Sequence, residues 1–293
     1  MNLQINKLSP RESITSIYLS NFYHQQNIAQ SVSSKDPYNA NRISYPAISM
    51  EEFERKFQFN NIVRTYNHLI NKEMDFNEMD TFTIKYPNGN IYTGAVKIRI
   101  ILNKTEKIRD GFGCMKYKDG TKFEGEYVND KITGYGIYSA KDGRKIYEGY
   151  WKDGKREGIG IYFCEDGASY EGEWKENLKH GIGVYKFNDN SRYLGEFKDD
   201  VRNGLGIIHG GNADKYEGEW MNDQGNGFGV YYYNKGDIYV GNWKNGLRDG
   251  YGTLTTQDGN EKRGIWEEGE LVDAVDENNH RINTKDNKKC IIF

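Results

Sequence analysis

The stretch Tyr170–Trp174, "YEGEW", returns letter for letter at Tyr216–Trp220. Tyr170, Gly172 and Trp174 fall on one parity, Glu171 and Glu173 on the other, which is the period of a β-strand. After the polar link "KENLKH" (175–180), the run Gly181-Ile-Gly-Val-Tyr-Lys-Phe187 again places glycines and aromatic rings on one parity. Two alternating runs joined by a short polar link form a hairpin pattern.

Aligned on the Tyr/Phe-x-Gly core, the same hairpin starts at Tyr92, Phe123, Tyr147, Tyr170, Tyr193, Tyr216 and Tyr239, with a degenerate copy at Lys262-Arg-Gly264-Ile-Trp266. The spacings are 31, 24 and then 23 throughout, so the long insertion lies in the first copy. Each copy continues into Gly-x-Gly, as at Gly158/Gly160, Gly181/Gly183 and Gly204/Gly206. Asp-Gly pairs such as Asp119-Gly120, Asp142-Gly143 and Asp166-Gly167 link one copy to the next, and such pairs accept the positive φ of tight turns.

A lone hairpin is marginal in water, so each unit must lean on its neighbours. The fold expected is mainly β: an elongated single-layer antiparallel β-meander of repeated hairpins over residues 81–272, preceded by a small N-terminal helical region. With strands about 4.8 Å apart, seven two-stranded units span roughly 65–70 Å. Glycines leave slots in which neighbouring Tyr and Trp rings can lie. That accounts for a mean hydropathy of −0.88 beside 14% aromatic residues and 34 glycines.

A Tyr-x-Gly-x-Trp/Phe core followed by Gly-x-Gly at a period of 23 resembles the MORN repeat (membrane occupation and recognition nexus), over about Tyr92 to Trp266. The resemblance implies a single-layer sheet of hairpins and a scaffold or adaptor placed at membranes, cytoskeleton or cilia. It does not imply catalysis.

The residues themselves show no enzyme. Glu171/Glu173 and Glu217/Glu219 read as solvated charges on the face opposite the rings, among strands bearing Lys152, Lys175, Lys186, Lys198 and Lys244. No Gly-x-Gly is completed as a dinucleotide fingerprint ahead of a helix. The five histidines (24, 68, 180, 209, 280) lack metal-ligand spacing, and His180 and His209 read as turn or edge residues. Cys114 and Cys164 read as small packing residues in or just after second strands. No cofactor and no metal are expected. A net charge of −3 argues against a nucleic-acid partner.

Residues 1–80 differ in character. Ser9-Pro-Arg-Glu12 caps a short amphipathic helix reaching about residue 28, and Ser49-Met-Glu-Glu52 caps a second to about Lys72. The second helix is expected to cover the first repeat or one sheet face, with docking of a partner as the alternative. At the other end, residues 273–293 read as a flexible tail closing on Cys290-Ile-Ile-Phe293, which is similar to a CaaX prenylation box with a geranylgeranyl-type final residue. Arg281, Lys285, Lys288 and Lys289 form a basic run beside it, suited to anionic phospholipids. One lipid chain gives only reversible attachment, so a second contact is expected.

The function expected is therefore a non-catalytic scaffold that binds other proteins through the sheet and is held on the cytosolic face of a membrane by a geranylgeranyl group on Cys290. The alternatives are a cytoskeletal or axonemal structural protein, or a regulatory subunit of a phosphoinositide kinase. Exposed edge strands leave a homo-oligomer open.

Overall fold

The computed structural model describes residues 81–101, 104–275 and 281–282, and all its regular structure is β-strand. The helices expected near residues 9–28 and 49–72 lie outside the described residues, as do Lys285, Lys288, Lys289 and Cys290. The described residues divide into two units. The first comprises 81–236 with Trp243–Gly246, and the second Asp237–Asn242 with the chain from Leu247 onward.

The first unit runs β1 (Phe82–Lys85), β2 (Ile91–Ile101), β3 (Lys104–Lys116), β4 (Lys122–Val128), β5 (Lys131–Ser139), β6 (Lys145–Lys152) and β7 (Lys155–Phe163). It continues with β8 (Ser169–Lys175), β9 (Leu178–Lys186), β10 (Arg192–Lys198), β11 (Val201–His209), β12 (Lys215–Met221) and β13 (Gln224–Tyr232). Each strand pairs antiparallel with the one before and the one after, so the unit is an open meander in a single layer. The second unit holds most of β14 (Ile238–Lys244), then β15 (Leu247–Thr255), β16 (Glu261–Glu267), β17 (Glu270–Val275) and β18 (Arg281–Ile282). There β15 pairs with β16, β16 with β17 and β17 with β18, all antiparallel. Strand structure therefore runs past residue 272, and Arg281 of the basic run sits in β18 opposite Val275.

Two turn types alternate. Inside a repeat the link is two residues long, and both have positive φ: Glu176 (48°) and Asn177 (75°) join β8 to β9. That is the primed geometry whose twist matches the flanking strands, and Asn and Asp tolerate it. The N–H of the second turn residue then donates to a carbonyl one repeat back, as Asn177 to Arg156 at 3.0 Å and Asp200 to Lys179 at 3.0 Å. Between repeats the turn is wider: Cys164 N–H donates to Ala168 O at 2.9 Å, while Asp166 accepts the Ala168 N–H at 3.0 Å. The turn chain of each repeat is thus pinned both to itself and to its neighbour.

The pairing of β8 with β9 is not uniform. Gly172 faces Gly183, but Trp174 faces Lys179, so β9 carries extra residues at this point. Gly181, at φ +58°, supplies the left-handed backbone of this bulge. The same shift recurs in the other hairpins, for example between Gly195 and Phe197 of β10 against β11. The two glycines of Gly-x-Gly therefore differ in purpose. Gly181 bends the strand, whereas a Cβ on Gly183 would stand 2.4 Å from the Tyr170 ring, so only glycine leaves room for it.

The insertion in the first copy is not a loop. It lengthens the β2–β3 hairpin in unbroken register from Val96↔Arg109 to Ile101↔Lys104, beyond the reach of β1, which starts opposite Gly94, and of β4.

Candidate functional site

On the ring face the core consists of aromatic side chains stacked edge to face. Starting at Tyr92, successive rings meet as Tyr127, Phe123, Trp151, Tyr147, Trp174, Tyr170, Phe197, Tyr193, Trp220, Tyr216 and Trp243, with centroids 5.0–5.6 Å apart and planes close to perpendicular. T-shaped contact sets the positive ring edge against the negative face of the next. In the second unit Tyr239 and Trp266 repeat the contact at 5.4 Å.

The polar atoms of these rings are used internally. Tyr170 Oη donates to the Glu173 carbonyl at 2.9 Å, and Tyr193 and Tyr216 do the same to Glu196 and Glu219. Trp174 Nε1 donates to Gly160 O at 3.1 Å, and Trp220 to Gly206 O at 3.1 Å. Burial raises the Tyr92 hydroxyl from 10.0 to about 12, against the opposing pull of Arg109, and it pushes Tyr147, Tyr170, Tyr193 and Tyr216 up as well. None of these phenols is set up to give or take a proton near neutral pH.

A row of cations covers the rings. The Arg156, Arg202 and Arg248 guanidinium groups lie 4.2–4.3 Å from the Trp174, Trp220 and Trp266 centroids, and Arg109 lies 5.0 Å from Tyr127. Lys179 takes the same position over Phe197 at 5.6 Å. Each arginine also reaches the turn of the next repeat. Arg202 donates to Asp223 Oδ1 at 2.9 Å and to the Asp223 carbonyl at 2.7 Å. Sequence reasoning missed this row. Its signal was a cation two residues before Gly-x-Gly, present at 109, 156, 179, 202 and 248 and replaced by Ile132 and Gly225.

The opposite face departs from the expected wet surface. Glu173 and Glu171 stand opposite Ile159 and Ile161, and Glu219 and Glu217 opposite Leu205 and Ile207, while the lysines expected among them end their strands. Glu173, Glu196 and Glu219 each accept the backbone N–H that follows the bulge glycine, from Ile182, Leu205 and Phe228 at 2.8–3.0 Å. These carboxylates close the bulges. Glu217 is buried and ion-paired with Lys215 at 2.5 Å. Burial raises the Glu219 carboxyl despite the Phe228 N–H bond. The result is a half-buried face of aliphatic side chains alternating with glutamates.

The remaining candidates do not converge. His180 and His209 lie within β9 and at the end of β11, and burial with Lys215 and Arg192 nearby lowers His209. His180 Nδ1 is 3.5 Å from Asp199. The Cys114 thiol is pushed up, first by burial and then by Glu124, away from the nucleophilic thiolate. Cys164 Sγ is 4.0 Å from Tyr185 Oη. Among the described residues no group of three or more His, Cys, Asp or Glu could hold a metal ion.

These features define a class first: an antiparallel meander of near-identical hairpins, held by edge-to-face rings on glycine slots. The MORN repeat model matches seven segments, residues 106–122, 123–143, 147–169, 170–192, 193–215, 216–238 and 239–261, together more than half of the chain. The chain belongs to the MORN-repeat family. The first match begins at residue 106, on the returning strand of the lengthened hairpin. MORN repeat-containing protein 3 of Xenopus laevis is 42% identical over 48 residues, which is 16% of this chain and 20% of that protein. The chain thus spans a fifth of the length of this curated relative. Among solved structures, the TCP domain of Drosophila melanogaster SAS-4 in complex with a proline-rich motif of Ana2 superposes with a TM-score of 0.30 at 16% identity, covering 65% of this chain and 88% of that one. The G-box domain of the microcephaly protein CPAP gives 0.35 at 10% identity, covering 64% and 99%. Likenesses at these scores carry no functional argument.

Proposed function

We propose that the protein is a non-catalytic scaffold that holds other proteins at the cytosolic face of a membrane, with Cys290 carrying a geranylgeranyl group. The observation behind this reading is how the two ends of the chemistry divide. Along the repeats the rings, glycines, arginines and bulge glutamates are engaged with one another. What the repeats offer a partner is extended surface, above all the aliphatic and acidic face, whose charge favours a basic, partly apolar protein segment. The reactive feature of the sequence is Cys290-Ile-Ile-Phe293, beside Arg281, Lys285, Lys288 and Lys289.

Intact mass of the protein from its native cell is the direct test. Loss of the three residues after Cys290 and a gain equal to one prenyl group are expected, and an unmodified Cys290 would overturn the lipid assignment. In fractionation, Cys290→Ser is expected to move the protein from membranes to the soluble fraction. Persistence in a detergent-resistant pellet would favour a cytoskeletal role instead.

A further inference from the structure

The extended arm of the first hairpin differs from every other part of the described array. No other described strand pairs with residues 95–101 or 104–110, so over roughly 17 Å the arm is a two-stranded ribbon. Apolar side chains point to solvent along it: Ile100 is 73% exposed, Ile98 54% and Ile101 46%. Cations flank them. Lys97, Arg99, Lys104 and Lys107 stand against the single Glu106 in residues 96–108. Arg99 is paired with Glu106 at 2.9 Å, and Lys107 lies over the Phe82 ring at 4.4 Å toward the base of the arm. Lys104 stands directly opposite Ile101 at the outermost pair and shares a face with Lys97, while Ile98 and Ile100 share the other face.

Exposed β-branched side chains on a ribbon with open edges invite aggregation unless something covers them. An uncharged protein groove would supply partners for the backbone but gives no reason for the excess of positive charge. An anionic bilayer answers the side chains of both kinds: isoleucines reach the acyl boundary while the cations and the ribbon's edge N–H and C=O groups stay at headgroup level.

We propose that the arm, residues 96–101 with 104–108, is a membrane-insertion element that seats Ile98, Ile100 and Ile101 in an anionic lipid surface, with Lys97 and Lys104 at the headgroups. This deepens the membrane reading above, since one prenyl chain needs a second contact, and it places that contact on the insertion rather than on the repeated sheet.

The test uses full-length protein carrying Cys290→Ser, so that no lipid is attached, and phosphatidylcholine vesicles with and without phosphatidylserine. The Cys290→Ser protein is expected to sediment with the phosphatidylserine vesicles and not with the neutral ones. Ile98→Ser/Ile100→Ser/Ile101→Ser is expected to weaken that partitioning at least about tenfold, and replacement by leucine at the same three positions to preserve it. Lys97→Glu/Lys104→Glu is expected to weaken it roughly twentyfold. Far-ultraviolet circular dichroism and the thermal midpoint check that the array remains folded. Equal partitioning of the triple-serine and parent proteins would overturn the proposal, as would failure of the parent to bind phosphatidylserine vesicles. Neither result bears on the Cys290 assignment, which the native mass decides separately.

Discussion

The hairpins β8–β9 and β2–β3 are built by one recipe, yet only the first is supported along its whole length. In β8–β9 the turn is pinned one repeat back through Asn177, the bulge is closed by Glu173, and Tyr170 lies between Trp174 and Phe197. The outer part of β2–β3 keeps the ladder but loses these supports, having no ring, no bulge glycine and, among the described residues, no neighbouring strand. Regular pairing alone therefore does not tie a hairpin into this sheet. The contacts that pass from one repeat to the next do, as expected where each unit is stabilised by its nearest neighbours.

The harshest way to break that contrast is alkali, because the array depends on un-ionised tyrosines and the arm contains none. A folded-state pKa raised above the unfolded one gives stability that is complete below the unfolded value and lost as pH climbs through the folded value. For Tyr92 that window runs from pH 10.0 to about 12, and Tyr147, Tyr170, Tyr193 and Tyr216 shift in the same direction for the same reason. Cooperative unfolding of the sheet is expected in this window, with ionisation of Tyr92, followed by its NMR ring signals, coinciding with loss of strand signal. A protein whose arm is replaced by a tight turn should show the same transition. Ionisation of Tyr92 near pH 10 in a still-folded sheet would refute the account.

Removing one ring comes next in size. Tyr193 is fully buried between Phe197 and Trp220 and fills the slots left by Gly195 and Gly206. Tyr193→Ala should cost about 3–5 kcal/mol, the range for large aromatic deletions, measured by urea unfolding. Ile100→Ser, at the exposed end of the arm, should stay within about 0.5 kcal/mol. Comparable losses at the two positions would mean that the arm is packed more tightly than its exposure shows.

The parts of this contrast legible in the sequence were those whose cause is local. The parity of Tyr170, Gly172 and Trp174 declares a strand and its ring face, and Asp166-Gly167 declares a turn, because side-chain period and φ tolerance belong to single residues. What stayed hidden depends on partners elsewhere. Gly181 and Gly183 read as one signature, although one bends the chain and the other makes room for Tyr170. Glu173 reads as a solvated charge because nothing nearby shows that the Ile182 N–H needs an acceptor. The spacing of 31 revealed an insertion but not that its residues pair as a ribbon. Asp273 to Val275 looks like polar tail, yet it is strand because β16 offers an edge to it.

The smallest effect separates two arginines with similar ion pairs. Arg99 bonds Glu106 across the arm with both side chains more than half exposed, where ion pairs contribute little. Arg202 bonds Asp223 at the same distance, but its side chain is 20% exposed, its guanidinium lies 4.3 Å from the Trp220 centroid, and a second N–H reaches the Asp223 carbonyl. Stacking on an indole and a bond to a turn carbonyl both depend on the planar fork, which lysine lacks. Arg202→Met should therefore lower stability by about 1–2 kcal/mol and Arg202→Lys by somewhat less, while Arg99→Met should change it by no more than about 0.5 kcal/mol. Salt sharpens the distinction, since the exposed pair is screened and the stacked one is shielded. If Arg202→Met proved as mild as Arg99→Met at both low and high salt, the cation row would be ornament on a sheet held by rings and glycines alone.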